Sequence, residues 1–301
     1  MITEILHDAI KISREEDYAG KKKTSFWASE SETMAFEIYH RWMETEPTNP
    51  ITEEKLMMLK MRKLTEEAVV HYLRKSGKMI ERLTNEERVY FEWGKHKVPV
   101  SGYPDTGILV GNEEILIEVK TYYGGHNHSQ VRNGYVKSAY LKQLAIYMLH
   151  HKIKHGILLL INQGTGEMFE FDLYNEGGKY KFVCPDNEQV IDLEDTFKRW
   201  ETIWVNNIQK KVEPEIEFQY KYDLKLLKWD ELKKSQISGM RTNKAVLGDW
   251  QVKFSDFKNL IVEKQGTHLG YNDEEIEYIK SKTEGYSTTG PGKVKFNPED
   301  L

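Results

Sequence analysis

Ser101-Gly-Tyr-Pro-Asp105-Thr-Gly-Ile-Leu-Val110-Gly-Asn-Glu-Glu-Ile115-Leu-Ile-Glu118-Val-Lys120 reads as a β-hairpin. Residues 107–110 make a short apolar strand, Gly111-Asn112 a turn pair, and residues 114–121 a second strand rich in Ile, Leu and Val. Side chains alternate along a strand, so Glu118 and Lys120 share one face while Ile117 and Val119 share the other. Pairing through the turn brings Asp105, just beyond the end of the first strand, close to Glu118 and Lys120. Two carboxylates beside a backbone carbonyl are raw material for a hard cation such as Mg²⁺, which takes oxygen ligands and keeps several waters. A lysine next to such a cation can position or help deprotonate an attacking water, a task that a structural ion pair does not have.

Composition limits what can surround this hairpin. At 301 residues the chain is long enough to bury a sizeable core and longer than one minimal domain, so a core with terminal additions is expected. Charged residues make up 30% and hydrophobic ones 39%, with no apolar run of membrane-spanning length, which points to a soluble protein. The N-terminal residues lack the basic start and apolar middle of a signal peptide. One cysteine, Cys184, excludes an internal disulfide framework, a four-cysteine zinc site and a four-cysteine iron–sulfur cluster, and fits a reducing cytoplasm. With a net charge of −5, a nucleic-acid partner has to be met by a local basic surface.

Upstream, residues 2–17 read as helical and lead into a basic run at Lys21-Lys22-Lys23. Ser29 or Ser31 can cap a helix through Trp42, and Thr52 opens a longer one to about Arg74. On that helix Leu59, Val69, Val70 and Leu73 cluster around Glu66, while Glu67 points elsewhere. Residues 88–93 and 98–103 are strand-like, and Pro99 suggests an edge or a strand end. Residues 122–133 read as a mobile loop, 136–151 as a strong helix, and 157–173 as a second apolar hairpin. A helix from about 192 to 211 follows. Beyond Pro214 come an aromatic stretch (Phe218, Tyr220, Tyr222, Trp229), helices near 253–264 and 272–282, and a loose tail after Glu284. The expected organisation is an N-terminal helical region (1–50), a core (51–185) and a C-terminal helical and aromatic region (186–301).

From Val119 to Gly166 there is no Asp or Glu, although 48 of the 301 residues are acidic. Lys120, Arg132, Lys137, Lys142, Lys152 and Lys154 lie in this gap, so an anionic polymer passing the hairpin meets positive charge. Tyr122, Tyr123 and Tyr135 add faces on which bases could stack. The bland alternative is a solvated basic loop and helix. His151 and His155 have the spacing of a zinc pair but no third ligand, and a helix end explains them better.

An acid, any residue and a lysine recur at Glu53-Glu-Lys55, Asp223-Leu-Lys225 and Asp256-Phe-Lys258, so context has to single out Glu118-Val-Lys120. It ends an apolar strand, faces Pro104-Asp105, follows the helix carrying Glu66 and precedes the acid-free segment. On the next helix Gln143 and Tyr147 are four residues apart and share a face. Gln143 is polar among Leu141, Leu144, Ala145 and Ile146, and a buried glutamine needs partners.

Taken as a set, Glu66, Pro104-Asp105, Glu118-Val-Lys120 and Gln143-Leu-Ala-Ile-Tyr147 resemble the PD-(D/E)XK nuclease superfamily, and within it the RecB-like exonucleases with a Gln-x-x-x-Tyr motif. The resemblance covers about residues 25–175 and implies an α/β fold. That fold is a restriction-endonuclease-like core with a mixed central sheet flanked by helices in α-β-β-β-α-β order, here with helical N- and C-terminal additions. It also implies that Asp105, Glu118 and the Val119 carbonyl hold Mg²⁺ or Mn²⁺, that Glu66 completes the metal shell, and that Lys120 orients the attacking water. Gln143 and Tyr147 would organise the site and touch DNA, with Tyr122, Tyr123, Arg132, Lys137 and Lys142 as further DNA contacts. The sequence departs from the pattern twice. Arg62 stands where a small residue is usual, and the cysteines that hold an iron–sulfur cluster in several relatives are missing, with tyrosines and tryptophans in that region instead. The function implied is a phage-type DNA exonuclease of recombination, repair or replication. Its rivals are a restriction-type endonuclease on the same fold and a non-catalytic DNA-binding protein.

Overall fold

A computed structural model describes residues 22–184, 187–217, 250–265 and 271–283, with residues 2, 5, 9, 10 and 12. The chain divides into two compact units, one formed by Met1–Thr33 and Ile51–Val212, the other by Met34–Pro50 and Glu213–Leu301. The aromatic stretch from Phe218 to Trp229, the tail after Glu284 and most of the first 17 residues lie outside the described residues.

In the first unit, strand β1 (Phe26–Trp27) precedes a long helix α1 (Glu53–Lys75). Thr52 caps α1, its Oγ1 accepting from the Lys55 N–H at 3.4 Å, and Glu53 and Glu54 in the first turn oppose Arg74 and Lys75 in the last, each complementing the helix dipole. Then come β2 (Val89–Trp93), β3 (Val98–Gly102), β4 (Thr106–Val110) and β5 (Glu113–Tyr122). Helices α2 (Gly125–Arg132) and α3 (Ser138–His151) lead to β6 (His155–Asn162), β7 (Met168–Glu176), β8 (Lys179–Cys184), β9 (Asn187–Ile191) and α4 (Glu194–Ile203).

The expected hairpin is β4–β5. Val110 pairs with Glu113 across Gly111-Asn112, and Gly111 has a φ of 62°, which glycine reaches without a Cβ clash. Six strands form one sheet in the order β4-β5-β6-β7-β8-β9, antiparallel except for β5 and β6. That parallel pair needs a crossover, which α2 and α3 supply. On one face Ile117, Val119, Leu159 and Ile161 form a core closed by Val69 and Leu73 of α1. On the other, α3 lies so close that a Cβ on Gly156 would meet Leu144 and Met148. The fold is therefore α/β, a mixed central sheet flanked by helices, as expected of a restriction-endonuclease-like core.

Strands β1, β3 and β2 form a second, three-stranded sheet, with β3 central. Pro99 is expected at an edge or a strand end; β3 is the middle strand, but Pro99 stands second in it, near the strand end, and β1 reaches only Val100 and Ser101. The loop expected at 122–133 contains helix α2 instead. Asn127 donates to the Tyr123 carbonyl at 2.8 Å across its first turn, and Val131 is buried. Strands β8 and β9 were not anticipated. The helix expected from about 192 to 211 is α4 continued by a wider π-helical stretch, Trp204–Ile208.

In the second unit, the helix Ala35–Trp42 packs Phe36 and His40 beside Phe257, and Arg41 bridges Glu37 and Asp256. Helices Trp250–Phe254, Lys258–Gln265 and Asp273–Thr283 complete its described part. No helix among the described residues is long and apolar enough to cross a membrane.

Candidate active site

Three of the residues singled out from sequence meet at the start of β4 and the end of β5. The β4–β5 ladder ends at Thr106↔Ile117, and just past it the Asp105 Oδ2 accepts the Val119 N–H at 2.7 Å. In a strand the N–H and C=O of one residue point to the same edge, so the Val119 carbonyl faces Asp105 as well. Glu118 is fully buried, and its Oε1 accepts from Lys120 Nζ. Among the described residues its Oε2 has no hydrogen-bond partner.

Electrostatics tie Glu66 to this group. Burial, and then the Asp105 charge, raise the Glu66 carboxyl to about 7, against the pull of Lys120, Lys63 and Arg62. Burial and the Asp105 charge likewise push Glu118 to about 8 although Lys120 opposes them. Asp105 is raised too, by burial, with Lys120 and the Val119 N–H working the other way. For Lys120 burial favours the neutral amine, but Glu118 and Asp105 outweigh it and hold the ammonium. Three carboxyls that resist ionising together are an unusual arrangement for a merely structural cluster.

Glu66, Asp105 and Lys120 line a cleft of about 570 Å³ with Arg62, Lys63, Tyr103 and Tyr140. Glu66 is half-buried and Glu67 exposed, so Glu66 is the acid that α1 turns toward the cleft. The departure at Arg62 places a guanidinium and the neighbouring Lys63 on the cleft wall. Sequence reading saw Arg62 only as an irregularity, yet its spacing of four from Glu66 already put it on the same side of the helix.

On α3, Gln143 Nε2 donates to the Tyr147 hydroxyl at 3.3 Å, and both side chains are buried. Tyr147 packs so tightly on β3 that a Cβ on Gly102 would lie 2.5 Å from its hydroxyl. Gln143 and Tyr147 line a second cleft of about 610 Å³ with Trp27, Arg88, Ser101 and Tyr103; Tyr103 borders both clefts. Arg88 Nη2 donates to Ser101 Oγ at 3.2 Å. Trp27 on β1 and Arg88, just ahead of β2, are distant in sequence from the hairpin and join the site only through the three-stranded sheet. The Gln143→Ala protein is expected to lose turnover more than stability; a large drop in Tm would make Gln143 a structural residue.

The DNA contacts expected from sequence are scattered. Tyr123, Arg132 and Lys137 are exposed. Lys142 is held by Glu32 at 2.9 Å. Tyr122 is buried, stacked on His128 with its hydroxyl 3.2 Å from the His128 Nδ1, so its ring is covered and offers no face to a base. His151 ends α3 whereas His155 begins β6 and pairs with Asp172 at 2.8 Å, so the two histidines do not share a helix.

The donor set suits a hard divalent cation: carboxylates of Asp105, Glu118 and Glu66, a carbonyl edge, and a buried Glu118 oxygen lacking a donor. As they stand, no three His, Cys, Asp or Glu groups among the described residues are arranged to hold a metal.

The fold and site together define an α/β protein with a carboxylate–lysine cluster at the end of a central hairpin. No family model and no curated protein matches the chain. Among solved structures, the protein SSO0001 matches at a TM-score of 0.47 with 16% identity, covering 69% of this chain and 87% of that one. An alkaline exonuclease (LHK-Exo) from Laribacter hongkongensis matches at 0.35 with 13% identity, covering 63% of this chain and 90% of that one. The same exonuclease in complex with dAMP matches at 0.38 with 15% identity and the same coverages. At TM-scores below 0.5, likenesses of this kind do not carry function from one chain to another.

Proposed function

We propose that this chain is a divalent-metal-dependent deoxyribonuclease that hydrolyses DNA from its ends, in recombination, repair or replication. The observation that supports this reading most is the meeting of Asp105, Glu118 and Lys120 at one strand end, with Glu66 in the same field across a cleft flanked by cations. Asp105, Glu118, Glu66 and the Val119 carbonyl would hold Mg²⁺ or Mn²⁺. When bound, the metal lowers the pKa of its water and neutralises charge developing on the scissile phosphate. Lys120, kept as an ammonium by its carboxylates, orients the attacking water or the phosphate oxygen. Arg62 and Lys63 hold the DNA backbone in the cleft, and Tyr123, Arg132 and Lys137 extend the contact outside it. Gln143 and Tyr147 border the neighbouring cleft together with Trp27, whose ring carries the Lys23 ammonium 3.8 Å from its centroid. No cysteine set exists for an iron–sulfur cluster, and none is invoked.

Incubation with linear and closed circular DNA separates this reading from its nearest rival. An exonuclease digests the linear form and spares the circle, whereas nicking or cutting of the circle supports a restriction-type endonuclease.

The raised carboxyls give a pH dependence. A group whose folded pKa lies above its unfolded value stabilises the fold below the unfolded pKa and loses that contribution as pH rises through the folded one. For Glu66 the window runs from about 4.5 to about 7. In EDTA, Glu66→Gln is therefore expected to match wild type near the low end of that window and to exceed it in Tm above the high end. Equal melting at both ends would show that neither burial nor the Asp105 charge raises the Glu66 carboxyl.

A further inference from the structure

Helix α1 turns Glu66 inward and, on the opposite side, carries an apolar stripe that the sheet does not cover. Met57, Met61, Leu64, Ala68 and Tyr72 recur at spacings of four, three, four and four, which at 100° per residue is a stripe about 80° wide. All five are exposed, Leu64 at 52% and Tyr72 at 70%, with Met58 at 50% on the rim. Scattered surface hydrophobics are ordinary; a continuous ladder along a 23-residue helix is the pattern of a face meant to be covered.

The pattern is also its own complement. Reversing the helix about the point between Leu64 and Thr65 sets Met57 against Tyr72, the long Met61 against the small Ala68, and Leu64 beside the second Leu64. The same reversal brings the N-terminal turn of one helix beside the C-terminal turn of the other, so the two helix dipoles run opposite. A stripe that matches itself in size under a two-fold rotation has the property an isologous interface requires.

We propose that two copies of this chain associate through antiparallel pairing of α1, centred between Leu64 and Thr65. The pairing leaves Glu66 and the cleft on the far side of each helix, so it is independent of the nuclease reading and stands or falls separately.

The full chain tests it. Light scattering at concentrations up to about 100 μM, above the micromolar Kd of a modest specific interface, should give twice the mass of one chain. Leu64→Lys, which sets two ammonium groups together at the axis, should give the single mass with an unchanged circular-dichroism spectrum, since residue 64 is exposed in one copy. Leu64→Cys should form a covalent dimer under mild oxidation. Met57→Cys should not, because an antiparallel pair holds the two copies of position 57 roughly 22 Å apart along the axis. Wild type, with its own buried Cys184, is the background control. A single-chain mass for wild type at every concentration would overturn the proposal. So would cross-linking of Met57→Cys as efficient as that of Leu64→Cys, which would indicate parallel pairing or random collision.

Discussion

The Lys120→Ala protein is expected to lose DNA cleavage by about a thousandfold, the scale of removing one preorganised charge at a reacting centre, while keeping its fold and much of its DNA binding. The site explains why the fold should survive. Removing one partner of a buried ion pair is usually costly because it strands a charge. Here the stranded group is Glu118, whose carboxyl burial pushes upward against the pull of Lys120, so without the lysine it takes up a proton and stays buried as a neutral acid. Asp105→Ala should abolish cleavage as well, and it also frees the Val119 N–H at the edge of β5. Retained cleavage in Lys120→Ala would remove Lys120 from the mechanism.

The largest effect on stability is expected at Trp200. Its indole is fully buried on α4, stacked on Phe26 of β1 at 5.4 Å and tilted against Phe197 at 5.8 Å. Phe197 in turn stacks on Trp93 of β2 at 5.2 Å. The aromatic cluster thus closes α4 onto the three-stranded sheet that presents Trp27, Arg88 and Ser101 to the second cleft. Trp200→Ala should cost about 3–5 kcal/mol, the range for truncating a large buried aromatic, and lower Tm by roughly 10 °C. Urea unfolding followed by circular dichroism checks this. A loss below about 1 kcal/mol would mean that the cavity collapses or that the cluster does not hold the sheet in place.

The hairpin was legible because its signals agreed: a Gly-Asn turn, an apolar strand on each side and alternation that put Glu118 and Lys120 together. Helix α1 was legible from its Thr52 cap and α3 from its apolar run, and both hold the residues expected of them. Strands β8 and β9 escape although Tyr180, Phe182 and Cys184 are buried in alternation, because Lys179 and Lys181 on the outward side mask the apolar signal. Helix α2 escaped because Gly125, His126, Asn127 and Ser129 are poor helix formers, and a buried Val131 overrides their local preference. Tyr122 read as a stacking surface for lack of its tertiary partner, His128, which covers it. The outer stripe of α1 is written in the spacing of Met57, Met61, Leu64, Ala68 and Tyr72, beside the inner stripe around Glu66 on the same helix.

The measurement that bears most directly on the site is hydrolysis of end-labelled linear DNA, single- and double-stranded, by wild type and Asp105→Ala in Mg²⁺, Mn²⁺ or EDTA. Loss of label from wild type with either metal, blocked by EDTA and absent in the variant, is the predicted result, and the labelled end that disappears first gives the polarity. Binding without cleavage under every condition would contradict it and leave a DNA-binding protein on this α/β fold.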